Sequence, residues 1–140
     1  MMYNEIQIRK LVISAVHYDL EADDIFWKAD HRLLSKVCNG CGPECMRKDA
    51  RDNLTEITSR YAPAFAIHDA DYEIHGTTRS QADNRMRKNM IKIWRKDFGF
   101  WRWLSFAGIF NRVVVIPAAY SAVRHYGNSA WKATKRRLKK

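Results

Sequence analysis

The sequence predicts a mainly α-helical fold in which two antiparallel helices form a candidate active site beside a glycine-rich loop, with further helices in the C-terminal half. Met86, Met90 and Ile93 recur at the spacing of one helical face. Thr78 and Gln81 form a capping-box pattern that marks the start of that helix. With 140 residues, of which 46% are hydrophobic, the chain suffices for one folded domain.

Four stretches of this domain differ in composition. They are an N-terminal arm and helix (1–37), a central core (38–97), an aromatic and basic helical region (98–130) and a basic tail (131–140). Residues 1–70 hold 9 Lys/Arg against 11 Asp/Glu, whereas residues 71–140 hold 16 against 4. A basic half of this kind predicts a polyanionic partner, either anionic lipid head groups or nucleic acid phosphates.

The N-terminal stretch begins with a loose alternation of apolar residues. That alternation over positions 6–13 predicts a short strand or an extended arm. A helix is predicted over 21–36, because the acidic residues at its start stabilise the positive end of the helix dipole. We expect Gly40 and Gly42 to follow the end of that helix.

Two helices are predicted in the central core. Pro63 suits the first turn of a helix that ends before Gly76, because a missing N–H costs nothing there. The second helix is predicted from about Arg79 to about Lys96. The connection, residues 75–78, is short, so we expect the two helices to pack side by side in opposite directions.

The C-terminal half is aromatic and basic. A helix is predicted over 113–122 with a break near Pro117, because proline disrupts a helix interior. Trp and Arg side chains in 94–103 suit an amphipathic surface at a lipid interface. The tail 131–140 carries six Lys/Arg and is predicted to be a solvated, disordered end.

Cysteine content and apolar runs indicate the compartment. The three cysteines all lie within 38–45, too few and too close for the disulfide framework of a small secreted protein. A reducing compartment is therefore expected. The N-terminal apolar run does not resemble a signal peptide, and no uncharged run reaches the roughly 18 residues that a membrane span needs.

One predicted helix in the core carries groups with catalytic chemistry. His68 and Tyr72 are four residues apart, and Asp69 diverges from His68 by about 100°, so a base and a metal-binding carboxylate can address one substrate. Asp83 lies on the Met86 side of the partner helix. From there its carboxylate can hold one ring nitrogen of His68 and leave the other free to accept a proton. Tyr72 can hydrogen-bond the same carboxylate.

The loop Cys38–Pro43 has glycines at alternate positions, Gly40 and Gly42. This spacing allows the backbone to turn its carbonyl oxygens inward. Calcium takes six to eight oxygen ligands, backbone carbonyls among them. The loop and one carboxylate together therefore suit a calcium ion.

The string His-Asp-Ala-Asp-Tyr at 68–72 resembles the His-Asp-x-x-Tyr active-site motif of secreted and parvoviral phospholipases A2. The upstream x-x-Gly-x-Gly loop resembles their calcium loop. The pair Ala82-Asp83 resembles the Ala-Asp pair that follows in the disulfide-poor viral enzymes. The arrangement is similar to phospholipase A2-like proteins encoded by bacteriophages, and it covers residues 38 to about 94.

That resemblance implies a calcium-dependent hydrolase that cleaves the sn-2 ester of glycerophospholipids at a membrane surface. His68 would activate water, Asp83 would orient His68, and Tyr72 would support Asp83. Calcium would polarise the ester carbonyl and stabilise the oxyanion. The implied calcium ligands are the Asp69 carboxylate and the carbonyls of Cys38, Gly40 and Gly42. A phage-encoded protein of this kind is expected in the host cytoplasm or in the virion.

The chain departs from the family pattern at several positions. Residues other than cysteine stand at Ala64, Phe65 and Asp71, where the secreted enzymes have cysteines. Packing and not disulfides must therefore hold the helices. Cys38 stands where the family usually has Tyr. Gly42 and His68 lie 26 positions apart, farther than in the secreted enzymes, so residues 43–62 have no counterpart.

Other functions are compatible with parts of the same pattern. Zinc could be bound by Cys38, Cys41 and Cys45, with His68 or His75 as the fourth ligand. The His-Asp pair at 68–69 also fits an HD-type metal phosphohydrolase with His31 as an upstream ligand. A hypothesis of another class is a catalytically silent phage structural or accessory protein, whose basic half binds nucleic acid or a partner protein.

Overall fold

Every element of regular structure is helical in the part of the chain that the computed structural model describes, residues 3–38, 49, 59–74 and 76–138. The α-helices are α1 (Glu5–His17), α2 (Asp24–Lys28), α3 (His31–Val37), α4 (Ala62–Ile74), α5 (Arg79–Phe98), α6 (Phe106–Phe110) and α7 (Ile116–Leu138). Two 3-10 segments (Ser59–Tyr61 and Gly99–Trp103) and a π-helical turn (Asn111–Val115) complete them. The predicted mainly α class is confirmed. The loop with Gly40 and Gly42 lies outside the described residues.

Helices α4 and α5 form the predicted antiparallel hairpin at the centre of the molecule. The Thr78 side chain caps α5, and the Thr78 N–H donates to Gln81 Oε1 at 3.0 Å, which completes the capping box. The predicted face of α5 is the buried one, with Met86, Met90 and Ile93 all inside the core. Most of α4 is buried as well. Helices α1 and α3 pack on α4, and α7 packs on both members of the hairpin.

The predicted N-terminal strand or extended arm is wrong, because residues 5–17 form α1. Ile8 and Ala15, seven residues apart, are the buried positions, which is helical and not strand spacing. The Asn4 side chain caps the helix by accepting a hydrogen bond from the Gln7 N–H (2.8 Å), and the Asn4 N–H donates to Gln7 Oε1 (2.9 Å). This capping box satisfies backbone donors of the first turn and favours the helix.

The single helix predicted over 21–36 is also wrong, because the chain forms α2 and α3 there. Ala29 and Asp30 adopt extended backbone, with ψ of 140° and 137°. The Asp30 side chain accepts a hydrogen bond from the Arg32 N–H. Aspartate is a preferred helix N-cap, so Asp30 starts a new helix where the acidic pattern predicted continuation.

The break predicted near Pro117 is wrong, and so is the disordered tail as far as Leu138, while residues 139–140 lie outside the described residues. The π-helical turn Asn111–Val115 leads directly into α7, which continues to Leu138. Pro117 has no N–H to bond to the carbonyl of Val113, and its ring would crowd that carbonyl in a regular α-helix. A π-helical turn relieves this conflict without ending the helix.

The resulting continuous helix bears on the question of membrane spans. Phe106–Arg136 is long and apolar enough to cross a membrane by length and composition, and it is the single such helix among the described residues. Arg112 and Arg124 lie within this helix, so no long uncharged run marks it in the sequence. One side of the helix belongs to the protein core, where Ile116 and Ala119 are buried. The opposite side faces outward.

Hydrogen bonds from residues 18, 21 and 60 connect the segments before α4 to α5. The buried side chain of Asn89 accepts from the Glu21 N–H (2.9 Å) and donates to the Glu21 carbonyl (2.8 Å). Tyr18 and Arg60 both donate to the carboxylate of Asp97, at 2.6 and 2.8 Å. These bonds hold the segments before and after the undescribed stretch against the same helix.

Candidate active site

His68 and Asp83 face each other across the α4–α5 hairpin. His68 Nε2 lies 2.8 Å from Asp83 Oδ1, and both side chains are buried. An ionised carboxylate only accepts hydrogen bonds, so Nε2 carries the proton in the neutral imidazole. Nδ1 then holds the free lone pair. The expected contact is therefore present, with the tautomer that a general base requires.

Tyr72 binds the same carboxylate from one turn farther along α4. Its hydroxyl donates to Asp83 Oδ1 at 2.7 Å. Its ring lies against the His68 ring, with centroids 4.3 Å apart. Burial is the main cause that raises the pKa of Tyr72, and the hydrogen bond to Asp83 is the second. The phenol therefore stays a hydrogen-bond donor. The three predicted catalytic side chains thus form one buried group.

Asp83 keeps its charge although its side chain is fully buried. Burial acts to raise the pKa of this carboxyl, but hydrogen bonds from His68, Tyr72 and Arg124 outweigh burial and leave the pKa below its usual value. Hydrogen bonds to the charged form stabilise that form. The carboxylate is therefore an acceptor throughout the neutral pH range.

Two arginines complete the group, and the sequence analysis missed both. Arg124 Nη1 on α7 donates to Asp83 Oδ2 at 2.8 Å, and Arg79 Nε lies 3.8 Å from the same oxygen. Arg79 Nη2 also donates to the Arg124 carbonyl at 2.5 Å, which ties α5 to α7. Arg79 could have been found, because it stands four residues before Asp83 on one helical face. Arg124 is 41 residues away and carries no local signal.

Helix α7 closes over Tyr72 through Gly127 and Trp131. A Cβ at position 127 would lie 2.5 Å from the Tyr72 hydroxyl oxygen, so this close approach requires glycine. The Trp131 ring meets the Tyr72 ring edge-on, with centroids 5.0 Å apart. A residue of the predicted basic tail therefore forms part of the site wall.

Asp69 lies near Cys38, the residue at which the glycine-rich loop begins. Burial raises the pKa of the Cys38 thiol, and the charge of Asp69 raises it further. The same thiol donates to the Ala66 carbonyl on α4 at 3.3 Å. The chain therefore leaves α3 beside the turn of α4 that bears Asp69. One carboxylate beside the start of such a loop fits one side of a calcium site.

The alternative metal sites stay predictions, as the calcium site does. The buried Cys38 thiol donates to the Ala66 carbonyl at 3.3 Å, whereas zinc binds a thiolate. Cys41, Cys45 and His75 lie outside the described residues, so the three-cysteine site stays a prediction. Within the described ranges, no three His, Cys, Asp or Glu side chains are grouped to hold a metal ion. His31 therefore does not join the His-Asp pair at 68–69.

A second ionic group lies one residue from Tyr72. Arg85 donates to Asp71 Oδ1 at 2.8 Å and to Asp23 Oδ1 at 3.0 Å. The other oxygen of Asp71, Oδ2, is buried without a hydrogen-bond partner in the described part of the chain. Burial raises the pKa of Asp71 to about 7, although Arg85 opposes this. Where the resemblance puts a cysteine, this chain therefore has an ion pair between α4 and α5.

Comparison with protein-family models, curated proteins and solved structures gives no match to this chain. The resemblance to phospholipases A2 therefore rests on the motif residues alone, and the geometry just described stands beside it. That geometry concerns His68, Asp83 and Tyr72 above all.

Proposed function

We propose that this protein is a calcium-dependent phospholipase A2-like hydrolase, encoded by a phage, that cleaves the sn-2 ester of glycerophospholipids. The observation that carries the proposal is the 2.8 Å contact between His68 Nε2 and Asp83 Oδ1. It leaves Nδ1 as the free nitrogen of a buried imidazole. A histidine held in this way suits the deprotonation of water.

His68 activates water in this proposal. Nδ1 takes a proton from a water molecule while the water oxygen bonds to the ester carbonyl carbon. The bond between that carbon and the sn-2 oxygen then breaks, and the proton on Nδ1 passes to the departing oxygen. The products are a lysophospholipid and a free fatty acid. The histidine returns to its starting state.

Asp83 and its neighbours keep His68 ready for both proton transfers. The carboxylate stabilises the imidazolium that forms after the first transfer, and it prevents the ring from turning. Tyr72 and Arg124 hold that carboxylate in place through hydrogen bonds of 2.7 and 2.8 Å. These two residues act on the reaction through Asp83 and are therefore positioning residues.

Asp69 is the proposed calcium carboxylate, together with the carbonyls of Cys38, Gly40 and Gly42. Its position beside Cys38 supports this assignment. The bound ion would supply Lewis-acid polarisation of the ester carbonyl.

Fatty-acid release from phosphatidylglycerol vesicles tests the proposal. We expect hydrolysis in calcium and none in EGTA. His68→Ala should lower kcat/KM by at least about 100-fold, because general base catalysis is lost. His17→Ala is the matched control, since His17 is exposed at the end of α1. Equally low release by wild type and His68→Ala in saturating calcium would exclude the hydrolase.

A catalytically silent phage structural or accessory protein is the second candidate, and one observation favours it. Residues 98–140 contain nine Lys/Arg and no Asp/Glu, which suits binding to nucleic acid phosphates. The deciding result would be a salt-dependent shift of double-stranded DNA by a chain that releases no fatty acid.

A further inference from the structure

An apolar patch covers the outer surface between the end of α5 and the start of α7. Its nine large side chains are between 40% and 85% exposed: Phe100, Trp101, Trp103, Leu104, Phe106, Ile109, Phe110, Val113 and Val114. All belong to one short stretch of the chain. Exposed apolar side chains grouped in this number mark a binding surface more often than single scattered ones do.

The fold holds this apolar patch outward on a tightly packed base. Trp94, which is buried, donates from Nε1 to the Gly108 carbonyl at 2.8 Å. A Cβ at position 108 would collide with the Arg102 carbonyl oxygen, so the turn before α6 packs directly on the α6 backbone. Phe106 and Phe110 stack on the outer side, with centroids 6.0 Å apart. The aromatic rings are thus presented by a well-packed scaffold.

The charge around the apolar patch is mainly positive, and the neighbouring carboxylate of Asp97 is paired with Arg60 and Tyr18. No acidic residue occurs from position 98 to the last residue given, whereas nine Lys/Arg do. Arg102 and Arg112 lie within the patch, and Arg95 and Lys96 are exposed just before it. The Arg112 guanidinium lies 5.9 Å from the Trp94 ring centroid. Aromatic rings beside arginines match the boundary between acyl chains and anionic head groups.

We propose that the apolar patch docks on the surface of an anionic phospholipid bilayer, with its aromatic side chains inserted at the depth of the head groups. The docking is peripheral, because the core uses the other side of the same helix at Ile116 and Ala119. A second copy of the chain fits the apolar patch less well. A two-fold contact through this surface would bring Arg102 and Arg112 of both copies together without acidic partners.

One continuous stretch of helix, the π-helical turn followed by α7, joins the apolar patch to the candidate active site. From Val114 to Arg124 the chain rises about 15 Å, at 1.5 Å per residue. Docking would therefore hold the site close to the bilayer. The proposal goes beyond the proposed hydrolase, because binding requires neither His68 nor calcium. The patch also lies outside residues 38–94, which carry the resemblance.

Vesicle sedimentation of the full chain in EGTA tests the docking. The vesicles contain phosphatidylglycerol with phosphatidylcholine, or phosphatidylcholine alone. The double variant Trp101→Ser, Phe106→Ser should lower the partition coefficient for anionic vesicles about 100-fold, because two large apolar side chains lose their burial. Ile6→Ser, Ile13→Ser is the matched control, since these α1 residues are 70% and 60% exposed. It should bind within about threefold of wild type.

His68→Ala should bind as wild type does, so the docking result is independent of any failure of catalysis. Circular dichroism must give both double variants the wild-type helix content, as expected for exposed positions. The proposal is overturned if wild type does not sediment with anionic vesicles, or if the two double variants bind equally. The proposal is also overturned if the only effect of the Trp101→Ser, Phe106→Ser variant is a loss of DNA binding or the conversion of a dimer into a monomer.

Discussion

Asp83 is the residue on which the candidate site depends, because four side chains converge on its two oxygens. Oδ1 serves His68 and Tyr72, and Oδ2 lies 2.8 Å from Arg124 and 3.8 Å from Arg79. Two arginines against one carboxylate leave this group with one positive charge while His68 is neutral. That surplus favours an anionic substrate beside α7.

Asp71, two positions after the proposed calcium carboxylate, links stability to pH. Its pKa is raised from 3.8 to about 7 in the folded protein, chiefly by burial. The folded state therefore binds this proton more tightly than the unfolded state does. The resulting stabilisation is complete below about pH 4 and is lost as the pH rises through about 7.

Asp71→Asn should remove that pH dependence. Relative to wild type, the free energy of unfolding of the variant should rise by roughly 3 kcal/mol between pH 5 and pH 8. Arg85 retains Asp23 as a partner in the variant. Urea unfolding of both proteins at the two pH values measures the change. A difference between the proteins that stays constant with pH would contradict the role given to Asp71.

The contact between α4 and α7 at Gly127 makes a prediction about helix packing. Alanine stabilises a helix by about 1 kcal/mol relative to glycine, but a Cβ here would lie 2.5 Å from the Tyr72 hydroxyl oxygen. We therefore expect Gly127→Ala to lower the free energy of unfolding by about 1–3 kcal/mol, because the helices must separate. Thermal or urea unfolding gives the sign directly.

Asn128→Ala is the matched control for that variant, because Asn128 is the next residue on α7 and is exposed. Its stability should stay equal to wild type or increase slightly through helix propensity. Displacement of Tyr72 in Gly127→Ala should also reduce fatty-acid release, which Asn128→Ala should leave unchanged. A stabilised Gly127→Ala would mean that α7 does not press on Tyr72.

The hairpin was predictable from the sequence because its signals are local. The capping box at Thr78, the apolar face through Met86 and the short connection 75–78 each lie within a few residues of what they determine. The approach of Asp83 to His68 follows from those signals and from helix geometry. The part of the site that α7 supplies does not follow from local signals, since Arg124 reaches Asp83 only once α7 has packed on the hairpin.

The errors in the N-terminal and C-terminal elements also have physical causes. Residues 6–13 fit both the alternation of a strand and the spacing of a helix, and the Asn4 capping box favours the helix. At Asp30 an N-cap outweighed helix continuation. At Pro117 the sequence indicated a conflict in the helix, but local rules do not distinguish a break from a π-helical turn. Tertiary packing of α7 selects the continuous form.

Calcium should stabilise the whole molecule if Asp69 holds the ion. A ligand that binds only the folded state, at 100 times its Kd, adds about 2.7 kcal/mol to the free energy of unfolding. We expect saturating calcium to raise Tm by several degrees, as measured by circular dichroism. Asp69→Asn should abolish the rise, whereas magnesium should give little of it in wild type. An equal rise in wild type and Asp69→Asn would remove Asp69 from the metal site.

Helix α7 is synthesised after the hairpin that carries His68 and Asp83. Arg124, Gly127 and Trp131 follow Asp83 by 41 to 48 residues, so the ribosome releases His68 and Asp83 well before the side chains that complete their surroundings. A nascent chain therefore has its proposed base and carboxylate without the arginine that covers them. If the protein is a hydrolase, a chain that stops before α7 lacks the assembled site, and the membranes of the producing cell meet the activity only from molecules that include α7.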